Sequence, residues 1–122
     1  MIKRAILAII MIISTFCVFS FKDNATAKET SFISYYSDKF NGKKTSSGEI
    51  FDNSKLTAAN RILPFGTKIK MTNIKNGKSV VVRINDRGPF HSSRKLDVSK
   101  AAFSAIGNPS QGVLTVEYEV VD

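Results

Sequence analysis

Residues 67–90 read TKIKMTNIKNGKSVVVRINDRGPF, and this stretch decides the fold. Thr67 to Asn73 alternates, with Ile69 and Met71 on one face. Asn76-Gly77 follows, a strong hairpin signal because a tight two-residue turn needs positive φ at its centre. Ser79 to Asn85 returns as a strand, with Val80, Val82 and Ile84 inward and Val81 and Arg83 outward. Alternation on both sides of an Asn-Gly turn predicts a β-hairpin with one buried face. The second strand runs out at Asp86, and Gly88-Pro89 turns the chain away sharply. Asp86 is thus placed at a strand end, on a loop that can present its carboxylate to a cleft.

Outward from the hairpin, the pattern stays that of strands. Leu96 to Val98 reads as a short buried strand. Ser99 is a good N-cap for a helix over Lys100 to Ile106, which Gly107 can end. Val113 to Val121 alternates again, with Leu114, Val116, Tyr118 and Val120 inward. Upstream, Phe32 to Tyr36 reads as a strand, Asn41 to Asp52 as a polar loop, and Pro64-Phe65-Gly66 as a turn. Five or six short strands with one hairpin and a small helix suggest a small closed barrel. The pattern alone does not choose its topology.

The N-terminus has a different character. Lys3 and Arg4 precede a nearly unbroken apolar run of 17 residues, Ala5 to Phe21, and Ala25-Thr26-Ala27 supplies small residues at its exit. This is the build of a secretory signal peptide cleaved after Ala27. A retained anchor is the other reading, but the run is short against the roughly 20 residues a span needs. Cys17, the single cysteine, lies inside the apolar run behind bulky Phe16, which argues against lipidation. The expected organisation is a signal peptide at 1–27, a short linker at 28–31 and a barrel domain at 32–122. An exported chain without disulfides must be held by its core. From Lys28 onward, 15 Lys and Arg face 9 Asp and Glu. An exported basic domain suits an anionic wall or acidic lipid better than nucleic acid. A basic surface that only keeps the domain soluble is the plainer account.

Chemistry concentrates in two polar loops besides the Asp86 turn. Thr45-Ser46-Ser47-Gly48-Glu49 offers a second loop carboxylate, and Thr57-Ala58-Ala59-Asn60 is small and polar. Asp86 has a structural alternative, as a turn cap accepting backbone hydrogen bonds. A carboxyl that donates a proton needs a raised pKa, and Arg83 and Arg87 stand near enough in sequence to push the other way. Asp97 reads as structural, Asp52 as a loop cap, and His91 as a surface-loop histidine without a role. No His, Cys and carboxylate cluster has metal-ligand spacing, and no nucleotide or flavin motif is present, so no cofactor is expected.

Taken in order, these blocks resemble the double-psi β-barrel domain of the rare lipoprotein A family, the septal-ring lytic transglycosylases. Ser34-Tyr35-Tyr36 resembles the family's Ser-Trp-Tyr, Thr45 to Glu49 its Thr-Ala-Asn-Gly-Glu, and Phe51-Asp52 its Tyr-Asp. Thr57 to Asn60 resembles Thr-Ala-Ala-His. Leu63 to Thr67, Val80 to Phe90, Leu96 to Ser99 and Ala101 to Phe103 match closely. The resemblance covers residues 32–121. Expansins and family-45 endoglucanases share the barrel more distantly.

The resemblance implies a mainly β fold, a six-stranded double-psi β-barrel with one or two short helices. It implies a groove for peptidoglycan glycan strands, with Asp86 as the catalytic acid at its floor. The reaction would be non-hydrolytic cleavage between N-acetylmuramic acid and N-acetylglucosamine, giving a 1,6-anhydro end. One carboxylate can act as acid and then base, because the nucleophilic hydroxyl is tethered to the substrate. Glu49 would be the second catalytic carboxylate, and Tyr36, Thr45, Asn60 and Asn85 would contact substrate. The expected protein is monomeric, exported to the periplasm or exterior, wall-associated, and free of a stable membrane anchor after signal cleavage. Two departures stand out: Asn60 replaces the family's histidine, and Tyr35 its tryptophan. Asparagine hydrogen-bonds but carries no proton near neutral pH. That replacement favours the alternative of an expansin-like glycan-binding module without catalysis. A secreted structural or host-interaction protein that keeps only the fold is the third reading.

Overall fold

The structure is a computed structural model and describes residues 27–91 and 93–121. The signal segment, with Cys17, lies outside the described residues except for Ala27. No helix among them is long and apolar enough to cross a membrane.

Six strands close into a barrel: β1 (Glu29–Tyr35), β2 (Thr57–Ala59), β3 (Lys68–Asn73), β4 (Ser79–Asp86), β5 (Arg94–Val98) and β6 (Leu114–Val120). Their order around the barrel is β1-β5-β2-β4-β3-β6. The β1–β5 and β2–β4 pairs are parallel, and the others are antiparallel. Closure leaves no free sheet edge. The hairpin expected from residues 67–90 is β3–β4, with Met71 opposite Val80 and Gly77 at φ 75° in the turn. Among the described residues, the one α-helix, α1 (Lys100–Ile106), starts where Ser99 Oγ accepts from the Ala102 amide. It ends at Gly107 for a spatial reason: φ there is −164°, but an added Cβ would lie 2.6 Å from the Leu114 side chain.

The alternating residues fill the barrel as patterned. Ile33, Ile69, Met71, Val82, Ile84, Leu96, Val98 and Val116 are buried, with Phe103 and Ile106 of α1 sealing one side. One inward assignment is corrected: Val80 is half-buried and packs against the core, but Val120, the last residue of β6, is 36% exposed. Thr57 to Ala59 is not merely a polar cluster. It is β2, wholly buried and wedged between β4 and β5. Three residues are too few to show a period, so this central strand gives no pattern signal.

Candidate active site

Asp86 ends β4, in parallel register with Ala59. Its Oδ2 accepts from the Tyr36 hydroxyl at 2.7 Å, and its Oδ1 from the amides of Ser46 and Arg87, each at 2.9 Å. Burial works against the charge, but these donors outweigh it and hold the carboxyl below its ordinary range. Neither nearby arginine side chain is recorded on it. Arg87 donates to the carbonyls of Asn60 and Leu63 and stacks over the Phe65 ring. Arg83 turns to Glu49.

Tyr36 is held by packing. Its ring stacks on Phe51, with centroids 4.5 Å apart, and meets the edge of Phe40. Burial, then the bond to Asp86, pushes the phenol well above its usual range, so it stays a neutral donor. The 45–49 turn closes on itself through Thr45, whose amide and hydroxyl both donate to the Glu49 carbonyl. It docks on the end of β4 through Ser46 to Asp86 and through the Ser47 amide to the Asn85 carbonyl. Glu49 receives both guanidinium nitrogens of Arg83, at 2.5 and 2.7 Å, and lies 3.4 Å from the Asn85 amide nitrogen. Arg83 first of all lowers the Glu49 pKa. Thus Asp86, Glu49, Tyr36, Thr45 and the buried Asn85 come together around the 45–49 turn.

Asn60 does not join them as a free polar group. It is buried, its Oδ1 accepts from the amides of Ile62 and Leu63, and its Nδ2 donates to the Lys95 carbonyl. Its side chain holds the turn of the chain after β2 and also lines the cleft beside Glu29, Arg61 and Tyr118. His91 is exposed and pairs with Ser93. Asp52 caps its own loop through Ser54. No group of three or more metal-ligating side chains occurs among the described residues. Nothing in the sequence signals the Ser46 amide or the Arg83–Glu49 pair, which joins residues 34 positions apart. The outward face of Arg83 was its only trace.

Two clefts of about 370 and 360 Å³ open elsewhere, one beside Glu29, Arg61 and Tyr118 and the other beside Asp38 and Lys100. Neither contains Asp86 or Glu49. Asp86 is half-buried and Glu49 exposed.

A profile of the family described as lytic transglycolase matches residues 28–118. The chain belongs to the lytic transglycolase family. It is 53% identical over 91 residues to a Treponema pallidum (strain Nichols) protein named probable endolytic peptidoglycan transglycosylase RlpA. The match covers 75% of this chain and 29% of that relative, so the chain spans less than a third of its length. Two solved structures share the fold. Streptomyces papain inhibitor superposes with a TM-score of 0.66 at 23% identity, covering 79% of this chain and 96% of that one. A Clavibacter michiganensis expansin in complex with cellohexaose gives 0.64 at 20% identity, covering 79% and 51%. The lytic transglycolase chain is therefore a double-psi β-barrel, as the resemblance implied.

Proposed function

We propose that this domain is a peptidoglycan lytic transglycosylase. It cleaves the bond between N-acetylmuramic acid and N-acetylglucosamine and leaves a 1,6-anhydro end. One observation carries the reading: a half-buried carboxylate at a strand end, held ionised by three fixed donors, stands beside the exposed Glu49 in a chain of this family. Glu49 and Arg83 form a second polar wall, and Thr45 and Asn85 fix the loop that carries it. Asp86 enters the cycle as a carboxylate, suited to taking the proton of the 6-hydroxyl and to facing the positive charge that develops at C1. Serving first as the acid, as the resemblance implies, would need it to gain a proton beforehand. The domain works outside the cytoplasm, at the wall, as a monomer. Its basic charge favours an anionic wall polymer.

The test is mass spectrometry of soluble products from purified peptidoglycan, intact and peptide-stripped. Anhydro-ended fragments from the natural protein, and none from Asp86→Asn, are expected. A folded protein that sediments with the wall yet releases nothing would instead be a glycan-binding module. The buried Asn60, unable to carry a proton, is the feature that favours that second reading.

A further inference from the structure

Proposed as above, the reaction needs a proton for the leaving oxygen, and the resting Asp86 holds none. The barrel brings a second carboxyl to the same face. On β2, Ala59 pairs with Asp86 of β4 on one side and with Asp97 of β5 on the other. The two aspartates thus flank one residue, about 10 Å apart at the backbone, at two strand spacings. The face they share is marked by β1. Ser34 and Tyr36, two residues apart, point the same way, since side chains alternate along extended chain. Ser34 Oγ donates to Asp97 Oδ1 at 2.9 Å, and the Tyr36 hydroxyl donates to Asp86. Tyr36 also lies close enough to Asp97 to feel its charge.

Asp97 is not consumed by this setting. Arg94 Nη1 stands 3.9 Å away, beyond hydrogen-bond reach, and donates instead to Ser34 Oγ at 2.6 Å. Ser34 holds Asp97 through its hydroxyl and its backbone amide, and the Asp97 side chain is still 25% exposed. Arg94 Nε is buried without a partner, so the cluster is not a closed structural knot. Burial raises the Asp97 pKa, and Ser34, Arg94 and His91 offset this only in part. Two carboxyls whose surroundings push them apart are the usual mark of an acid and base pair.

We propose that Asp97 is a catalytic residue of this groove, the donor of the proton to the leaving glycosidic oxygen, with Asp86 as the acceptor. This rests on the transglycosylase reading. As the bond from C1 of N-acetylmuramic acid to the bridging oxygen breaks, that oxygen takes the Asp97 proton. It leaves as the 4-hydroxyl of N-acetylglucosamine. The 6-hydroxyl oxygen closes on C1, and its proton passes to Asp86. One proton has moved from Asp97 to Asp86, and exchange with water restores both.

The test compares the full chain with Asp97→Asn and Asp86→Asn on two substrates. One is peptide-stripped peptidoglycan. The other is a 4-nitrophenyl glycoside of N-acetylglucosaminyl-N-acetylmuramic acid, whose leaving group departs without protonation. Asp97→Asn keeps the acceptor for Ser34, and circular dichroism checks that it is folded. It is expected to lose about 10²-fold or more on peptidoglycan and less than tenfold on the activated substrate, as loss of a general acid does. It should also lose the alkaline limb of the wild-type pH profile. Asp86→Asn should fail on both substrates. Equal losses by folded Asp97→Asn on both, or undiminished peptidoglycan cleavage, would overturn the assignment and leave Asp97 structural. Should the variant not fold, Asp97→Glu takes its place, and an unmoved alkaline limb there overturns it too. Wild type that yields no anhydro ends from either substrate refutes the transglycosylase reading itself, a result distinct from failure of the variants alone.

Discussion

Asp86 and Glu49 line the same face and are both ionised, but by different means. Asp86 is held by two backbone amides and a phenol that is itself clamped between Phe51 and Phe40. Glu49 is held by one arginine side chain, with both partners about two-fifths exposed. Backbone donors belong to the fold and cannot rotate away, so Asp86 keeps its geometry whenever the barrel is folded. An exposed ion pair trades against water and salt, and contributes roughly 0–1 kcal/mol. The first carboxylate is built by the barrel. The second is adjustable, since nothing but an exposed side chain holds it.

The largest effect should come from removing the fixed charge. Asp86→Asn is expected to lower release of anhydro-muropeptides by about 10²–10⁴-fold, the range for a positioned acid or base. Thermal stability should fall by about 1–3 kcal/mol and the fold persist, because the amide oxygen still accepts from the Ser46 and Arg87 amides but the charge that strengthened these bonds is gone. A large fall in melting temperature with activity in proportion would instead make Asp86 a structural cap.

Next in size is the phenol. Tyr36→Phe keeps the stack on Phe51 but removes one of the three donors to Asp86. A hydrogen bond to a charged group contributes about 1.5–3 kcal/mol, so stability at neutral pH should fall by about that much. The Asp86 pKa, now depressed, should rise. A depressed carboxyl contributes stability that is present above its unfolded value, about 3.9, and lost as pH falls through its folded value. Acid unfolding of Tyr36→Phe should therefore show a weaker pH dependence below about pH 4 than wild type. The acid limb of the rate profile should move to higher pH. Asp97, shifted the other way by burial, contributes in the opposite sense as pH rises through its own pKa. Wild-type and variant acid limbs that coincide would show that Tyr36 does not set the Asp86 charge.

A third expectation concerns the residue in the histidine's place. Asn60→Ala frees the amides of Ile62 and Leu63 and the Lys95 carbonyl, and should cost about 1–3 kcal/mol in denaturant unfolding. On undenatured protein, the turnover number should change less than tenfold, because the side chain is engaged by the Ile62 and Leu63 amides and the Lys95 carbonyl and makes no bond to Asp86. A larger loss of turnover without loss of stability would return Asn60 to the substrate contacts.

These contrasts also separate what the sequence could convey from what it could not. The β3–β4 hairpin, β6 and α1 were legible because each carries its own period, turn or cap: Ile69 and Met71, Asn76-Gly77, Ser99. The position of Asp86 at a strand end followed from the same local rules. β2 was invisible as a strand, since three buried residues have no period and take their role from two distant partners. The partners of the carboxylates were hidden for the same reason. Nothing near Glu49 in sequence announces Arg83, and nothing near Asp86 announces Tyr36, which follows the end of β1. Asn60 was read as a groove residue because its block resembles a family block. Its three backbone bonds depend on where Lys95 falls after closure. Asp97 was read as structural from its short apolar strand, which says nothing about the residue across β2.

The smallest effect tests the adjustable side of the comparison. Glu49→Gln and Arg83→Gln each remove one charge of an exposed pair. Thermal stability at moderate salt should change by about 1 kcal/mol or less for either, and less still in high salt, where exposed pairs are screened. The two should differ in function. Glu49→Gln removes negative charge from the face on which C1 becomes positive, so the turnover number should fall, by about tenfold for a loss near 1.4 kcal/mol. Arg83→Gln leaves Glu49 charged but untethered, so the Michaelis constant should rise more than the turnover number falls. Steady-state kinetics on peptide-stripped glycan distinguishes these patterns. If both variants lose turnover alike, the pair acts as one rigid unit, and the contrast between a built and an adjustable carboxylate fails. If neither loses any, Glu49 is a tie for the 45–49 turn, and the chemistry rests on Asp86 and the aspartate across β2.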